Sequence, residues 1–265
     1  MKTCMILFSC LHYLSAVAGL VSLLAVATPL LSPAPGLAQT TDATAEDQQL
    51  GPVFMLSLGG KLYDDLWPIL ELPTPEGRNP AFADRAPTDH DTWRCVSCHG
   101  WDYEGAGGER AGVAPRAAAA SLVPLRGVDP AIIIEKIIAP SHPFPSDALP
   151  DLALFLLGAF ISDGQYDRNR ILDENGKARG NPDDGRAIFE GACINCHELD
   201  GRAFLRGEVG DPASLGRIAR ERPEQALHKI MNGVPRAEML SLRFLSEEAI
   251  ADLMAYVQTL DTPQP

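Results

Sequence analysis

Two five-residue stretches, Cys95-Val96-Ser97-Cys98-His99 and Cys193-Ile194-Asn195-Cys196-His197, decide how this chain is read. Both are C-x-x-C-H. Cysteines at i and i+3 share one face of a helical turn, and the histidine that follows presents its imidazole beside them. With 6 Cys and 6 His in 265 residues, chance supplies about 0.003 such matches per chain. A zinc site wants four Cys or His ligands, whereas each motif brings three with no clear local fourth. A thioredoxin-like redox pair belongs in a βαβ pattern, which the sequence lacks.

The pattern that remains is that of c-type haem attachment, in which two sulfurs bond the porphyrin and the histidine takes the iron from beneath. Two motifs predict two covalently attached haem c groups, with Cys95, Cys98, Cys193 and Cys196 binding the cofactor and His99 and His197 as proximal iron ligands.

Around the motifs the chain is punctuated. Lys2 is the sole charge before Asp42, and the apolar run Ile6 to Leu31 ends in Ser32–Pro35 and then Gly36-Leu37-Ala38. This predicts a signal peptide over residues 1–38, cleaved before Gln39; an uncleaved membrane anchor is the alternative, because the run is long enough to span a bilayer. Export to the periplasm follows. Cleavage removes Cys4 and Cys10 and leaves four cysteines, all within the motifs, and the loss of Lys2 takes the net charge from −13 to −14. An acidic chain of this kind is poorly suited to nucleic acid, which needs clustered Lys and Arg.

Ahead of Cys193, Gly185-Arg-Ala-Ile-Phe189 has helical spacing. Behind the motif come Asp211-Pro212, a helix from about Pro223 to Asn232 closed by Gly233, a loop holding Met239, and a helix capped by Ser246 with Glu247 and Glu248. Residues 184 to 260 resemble a class I cytochrome c domain in the pattern G…F…C-x-x-C-H…G-x-P…M…S-x-E…Y. The resemblance implies that the Pro212 carbonyl holds the His197 Nδ1–H and that Met239 is the distal ligand. Met231, inside an amphipathic helix, reads as core filler. Leu240 departs from the Pro that often follows the family's Met.

The first motif sits in a more divergent copy. Helices are predicted over Asp129–Ala139 and Asp151–Phe160, Pro124-Leu125 stands where Pro212 to Leu215 does, and Gly60-Lys-Leu-Tyr63 echoes Gly185 to Phe189. An acidic, Pro-rich insertion, 68–91, separates that echo from Cys95. The fold class expected is therefore all-α, with two tandem cytochrome c-like domains: 39–161 with the inserted loop 68–91, a linker at 162–183, and 184–262.

Met239 follows His197 by 42 residues, and His142 follows His99 by 43. No Met lies between Met55 and Met231, so the matched offsets propose His142, within Ser141-His-Pro-Phe-Pro145, as the first haem's distal ligand. His90, Met55 and an open iron are the alternatives. His228, on the predicted 223–232 helix, reads as solvated.

A thioether raises a haem's potential and a second imidazole lowers it. The resulting expectation is an exported dihaem electron carrier, similar in plan to cytochrome c4, that passes electrons between redox partner proteins such as basic cytochromes or a dehydrogenase. The alternatives are a haem enzyme, resembling thiosulfate dehydrogenase or a dihaem peroxidase, and a cytochrome subunit of a larger dehydrogenase. Thiosulfate dehydrogenases use a distal Cys, and the mature chain has none to spare.

Overall fold

A computed structural model describes residues 51–260 except 83–87, 111–118, 146–147, 204–205 and 209–210. The predicted signal segment 1–38 lies outside the described residues. So do the side chains of 204–213 and, with them, the expected contact of Pro212 with His197.

The architecture is helical: α1 Pro52–Leu70, α2 Cys95–His99, α3 Pro130–Ile137, α4 Asp151–Ala159, α5 Arg168–Ile171, α6 Pro182–Ala192, α7 Ile194–His197, α8 Leu215–Glu221, α9 Pro223–Asn232 and α10 Glu247–Thr259. A two-stranded antiparallel pair, β1 Arg206–Glu208 with β2 Asp211–Ala213, sets Gly207 opposite Pro212. Among the described residues no helix is long and apolar enough to cross a membrane.

Each half is built on a crossed pair of helices. In the second half α6 meets α10 where Gly185 approaches the Asp252 carbonyl so closely that a Cβ would stand 1.9 Å from its oxygen. Phe189, one turn on, is fully buried against Tyr256, with ring centroids 5.3 Å apart. Asn181 and Ser246 cap these helices by accepting from Asp183 N and Ala249 N. In the first half α1 meets α4 at Gly59, whose Cβ would lie 2.3 Å from the Leu156 oxygen. The element that repeats Gly185–Phe189 is therefore Gly59–Tyr63, one residue longer than the echo read from Gly60.

Pro68 stands inside α1 rather than opening the insertion. A helical proline deprives the carbonyl four residues earlier of its N–H partner. Here Arg94 Nε donates to that carbonyl, Asp64 O, at 2.7 Å, and the chain kinks at Asp65 (φ −156°, ψ 100°).

The described residues fall in one compact unit, which does not separate at 162–183. The segment read as a linker carries core side chains, with Tyr166, Ile171 and Leu172 buried. Tyr166 Oη donates to Trp101 O at 2.6 Å, and Arg168 pairs with Glu224 at 2.6 Å. Its polarity misled because only three large apolar residues are needed to anchor so short a connection.

The halves meet on α9. His228 is fully buried, not solvated: Nε2–H donates to Gly60 O at 3.0 Å and Nδ1 accepts from Tyr103 Oη at 3.0 Å. Gly60 is the residue that lets α9 approach, since a Cβ there would overlap Asn232 at 2.2 Å. Beside it Asp64, 1% exposed, pairs with Arg94 at 2.6 Å and with Lys229 of α9. Lys229 also lies 5.0 Å over the Trp101 ring.

Burial pushes the His228 pKa down from 6.5 to about 3, so the folded protein holds it neutral. The unfolded chain binds this proton below pH 6.5 and the folded chain does not until about pH 3. The stability His228 provides is complete above the unfolded pKa and drains away as pH falls between the two values, at up to about 1.4 kcal/mol per unit. His228→Leu should orphan two buried groups and cost about 2–5 kcal/mol at pH 7 by denaturant titration. It should also flatten the acid slope of stability, and an unchanged slope would contradict this account.

Candidate haem sites

In the first half the attachment helix is short because Arg94, extended at φ −95° and ψ 137°, starts it and Gly100, at φ 76°, ends it. That single turn sets Cys95, Cys98 and His99 along one wall of a cavity of about 880 Å³. The volume falls at the upper end of the range for cofactor pockets. Leu66, Ile133, Leu157 and Ile161 supply apolar walls, and His142 and Phe144 stand among the other lining residues.

His99 and His142 share this cavity. Their ring centroids are 6.1 Å apart with 30° between the planes. Two imidazoles that each sit about 2 Å from a shared metal through one nitrogen place their centroids about 6 Å apart. His99 Nδ1–H donates to Ala120 O at 3.0 Å, and His142 Nδ1–H donates to Lys136 O at 2.9 Å. Tying back one ring nitrogen to a backbone carbonyl orients a metal-binding imidazole and frees the other, and the described residues give neither Nε2 a partner. Burial pushes His99 down to about 4 against the Ala120 bond, and nearby His142 pushes in the same direction. The ring is thus neutral near pH 7, the form that ligates metal.

The acceptor for His99 is Ala120 O, four residues before the Pro124 that the repeat pointed to. Nothing in the run of alanines, 117–120, marks one carbonyl over another, so the residue types carry no signal for it.

The alternatives to His142 are placed elsewhere. His90 has both nitrogens engaged, Nδ1 with Thr74 Oγ1 at 2.6 Å and Nε2 with Asp65 Oδ2 at 2.9 Å. Met55 is half-buried against the core on the first turn of α1 and does not line the cavity.

In the second half Cys193 ends α6, and Ile194–His197 make the attachment turn. Burial lowers the His197 pKa. Met239 lies in the loop between α9 and α10, half-buried against the core, while Met231 is 7% exposed on the packed face of α9. The four cysteines are free of disulfides. Burial pushes the Cys95 thiol up to about 12 and the Cys193 thiol to about 11. Neither is the low-pKa thiolate that a thioredoxin-like pair requires. Among the described residues no three His, Cys, Asp or Glu side chains converge as a zinc cage would.

Residues 180–257 match the family model described as cytochrome C oxidase, cbb3-type, subunit III. No curated protein matches the chain. The matched region is similar to a c-type cytochrome domain. Such a domain binds haem covalently through its C-x-x-C-H motif and serves haem-based electron transfer. A proteolytic peptide spanning 193–197 should accordingly carry a haem mass that survives acid–acetone extraction, and an unmodified peptide would contradict the assignment.

Proposed function

We propose that the protein is an exported dihaem electron carrier with two unlike sites. In the first, Cys95 and Cys98 would attach the haem and His99 and His142 would hold its iron. In the second, Cys193 and Cys196 would attach it and His197 and Met239 would hold its iron. The observation that carries this reading is the facing pair His99 and His142, 6.1 Å apart, each tied back through Nδ1. A haem supplies a one-electron iron couple when bound.

The protein's own residues do the rest. Apolar walls keep water from the first site and limit reorganisation around it. Ligand identity orders the sites, because paired imidazoles favour the oxidised state and a thioether favours the reduced one. The direction of transfer is then from the first half to the second. The crossed helices and the α9 junction hold the halves as one unit, so their spacing is set by packing rather than by a hinge.

Export rests on the apolar N-terminal run, and domains of the matched kind are usually exported or periplasm-facing. The same match favours, as a second reading, service as the cytochrome subunit of a larger redox complex. Under either reading the net charge of −13 suits a basic partner.

The exported protein should weigh two haem additions more than its polypeptide. His142→Ala should leave the first iron high-spin and able to bind CO, with the second site's spectrum unchanged; a variant spectrum like the wild type's would move the ligand elsewhere. Met239→Ala should lower the potential of one haem and abolish its thioether–iron band, and Met231→Ala should do neither. Raising ionic strength should slow electron exchange with a basic cytochrome, since screening weakens steering. A rate that rises with salt would exclude such a partner.

A further inference from the structure

His142 is not held by its own loop alone. Two residues on, Phe144 packs against Trp67 and Trp93, with ring centroids at 6.2 and 6.0 Å, and the two indoles meet edge to face at 6.4 Å and 88°. Both tryptophans are buried, at 2% and 5% exposure. Between His142 and Phe144 the backbone is nearly rigid: Phe144 N–H donates to His142 O at 2.8 Å, closing a three-residue turn, and Pro143 at its centre fixes φ. His142 N–H in turn donates to Ala139 O at 2.8 Å. A displacement of the Phe144 ring therefore moves the imidazole with it.

The clamp connects distant parts of the chain. Trp67 lies in the last turn of α1. Trp93 stands two residues before Cys95 and donates through Nε1–H to Gly77 O at 2.8 Å, within the inserted segment. Gly77 adopts φ 73°, a left-handed conformation that suits glycine. One residue before Trp93, Thr92 Oγ1 accepts from Asn79 N at 2.9 Å and donates to Asp89 O at 2.6 Å. Asn79, Pro80 and Ala81 also line the cavity. The insertion thus braces the wall that carries Trp93.

We propose that Phe144, seated between Trp67 and Trp93, is a positioning residue that keeps His142 at ligating distance from an iron shared with His99, and that Gly77, Asn79 and Asp89 of the insertion hold Trp93 and its neighbour Thr92 for this purpose. The proposal rests on the reading of the first site as a bis-imidazole haem. It couples the two faces of that site: the strand of chain that presents Cys95 and His99 also presents Trp93, which fixes the loop that presents His142. A loop residue so anchored pays little ordering entropy on ligation.

The experiment compares CO binding to the reduced exported holoprotein, and the low-spin paramagnetic resonance signal of the oxidised one, in wild type, His142→Ala, Phe144→Ala, Phe144→Leu and Trp93→Phe. Phe144→Ala retains both histidines yet should bind CO at the first haem at least about tenfold faster than wild type, as the aromatic contacts that close the loop are lost. Its resonance signal should broaden or shift while the second haem is unaffected. Phe144→Leu keeps much of the bulk and should restore most of the wild-type behaviour. Trp93→Phe keeps the ring but drops the bond to Gly77, and should give an intermediate rate. If Phe144→Ala binds CO as slowly as wild type while His142→Ala binds it fast, the positioning role is refuted and the ligand assignment stands. If His142→Ala matches wild type, the bis-imidazole reading falls and the clamp with it. Should Phe144→Ala fail to accumulate, Trp93→Phe decides alone, and a wild-type rate there refutes the brace.

Discussion

Two imidazoles that line one cavity with ring centroids 6.1 Å apart are the constraint around which the first half is arranged. Neither ring can find this position unaided. A free histidine has two nitrogens and a rotating side chain; each of these has one nitrogen spent on a backbone carbonyl, Ala120 O or Lys136 O. The carbonyl supplied by Lys136 comes from the last turn of α3, so the packing of α3 against α4 reaches the His142 ring through one hydrogen bond. The carbonyl of Ala120 comes from a segment 21 residues further along the chain than His99. Burial then keeps His99 neutral, which leaves Nε2 free of a proton and available to a metal.

The second constraint is polar and buried. His228, Tyr103, Asp64, Arg94 and Lys229 occupy the seam where α9 of the second half meets α1 of the first. A buried ion cluster of this kind is no strong source of stability, because desolvation offsets most of the attraction. Its value is specificity: any other register of α9 on α1 takes Lys229 from Asp64 and Gly60 O from His228 Nε2. For the two-site carrier proposed above that would be the useful property, since transfer between two sites depends on a fixed separation. Arg94 belongs to both constraints, for it pairs with Asp64, satisfies the carbonyl that Pro68 leaves open, and starts the helix that carries Cys95.

Local features of the site were readable from the residues. The C-x-x-C-H spacing is a property of one helical turn, α9 ends at Asn232 before Gly233, and Ser246 caps α10, all because short-range chemistry dictates them. Matched offsets pointed to His142, and the fold sets its ring against that of His99. What was not readable depends on partners far away in the chain. His228 looked solvated because its helix is amphipathic and nothing nearby demands an imidazole; its two partners are Gly60 and Tyr103, 168 and 125 residues distant. Tyr166 looked like part of a linker because its partners, Trp101 O and Glu224 O, lie 65 and 58 residues away, one in each half. Phe144 was visible only as one residue of a Pro-rich loop, since its role needs Trp67 and Trp93 in place.

The central claim is that one chain holds two haems of different axial ligation, imidazole–imidazole and imidazole–thioether. Near-infrared magnetic circular dichroism of the fully oxidised protein tests it most directly, because the charge-transfer band of low-spin ferric haem moves with the identity of its axial pair. The account predicts two bands of equal weight, one for each ligand pair. A single band, or a high-spin contribution from the first haem in the wild-type protein, would contradict it.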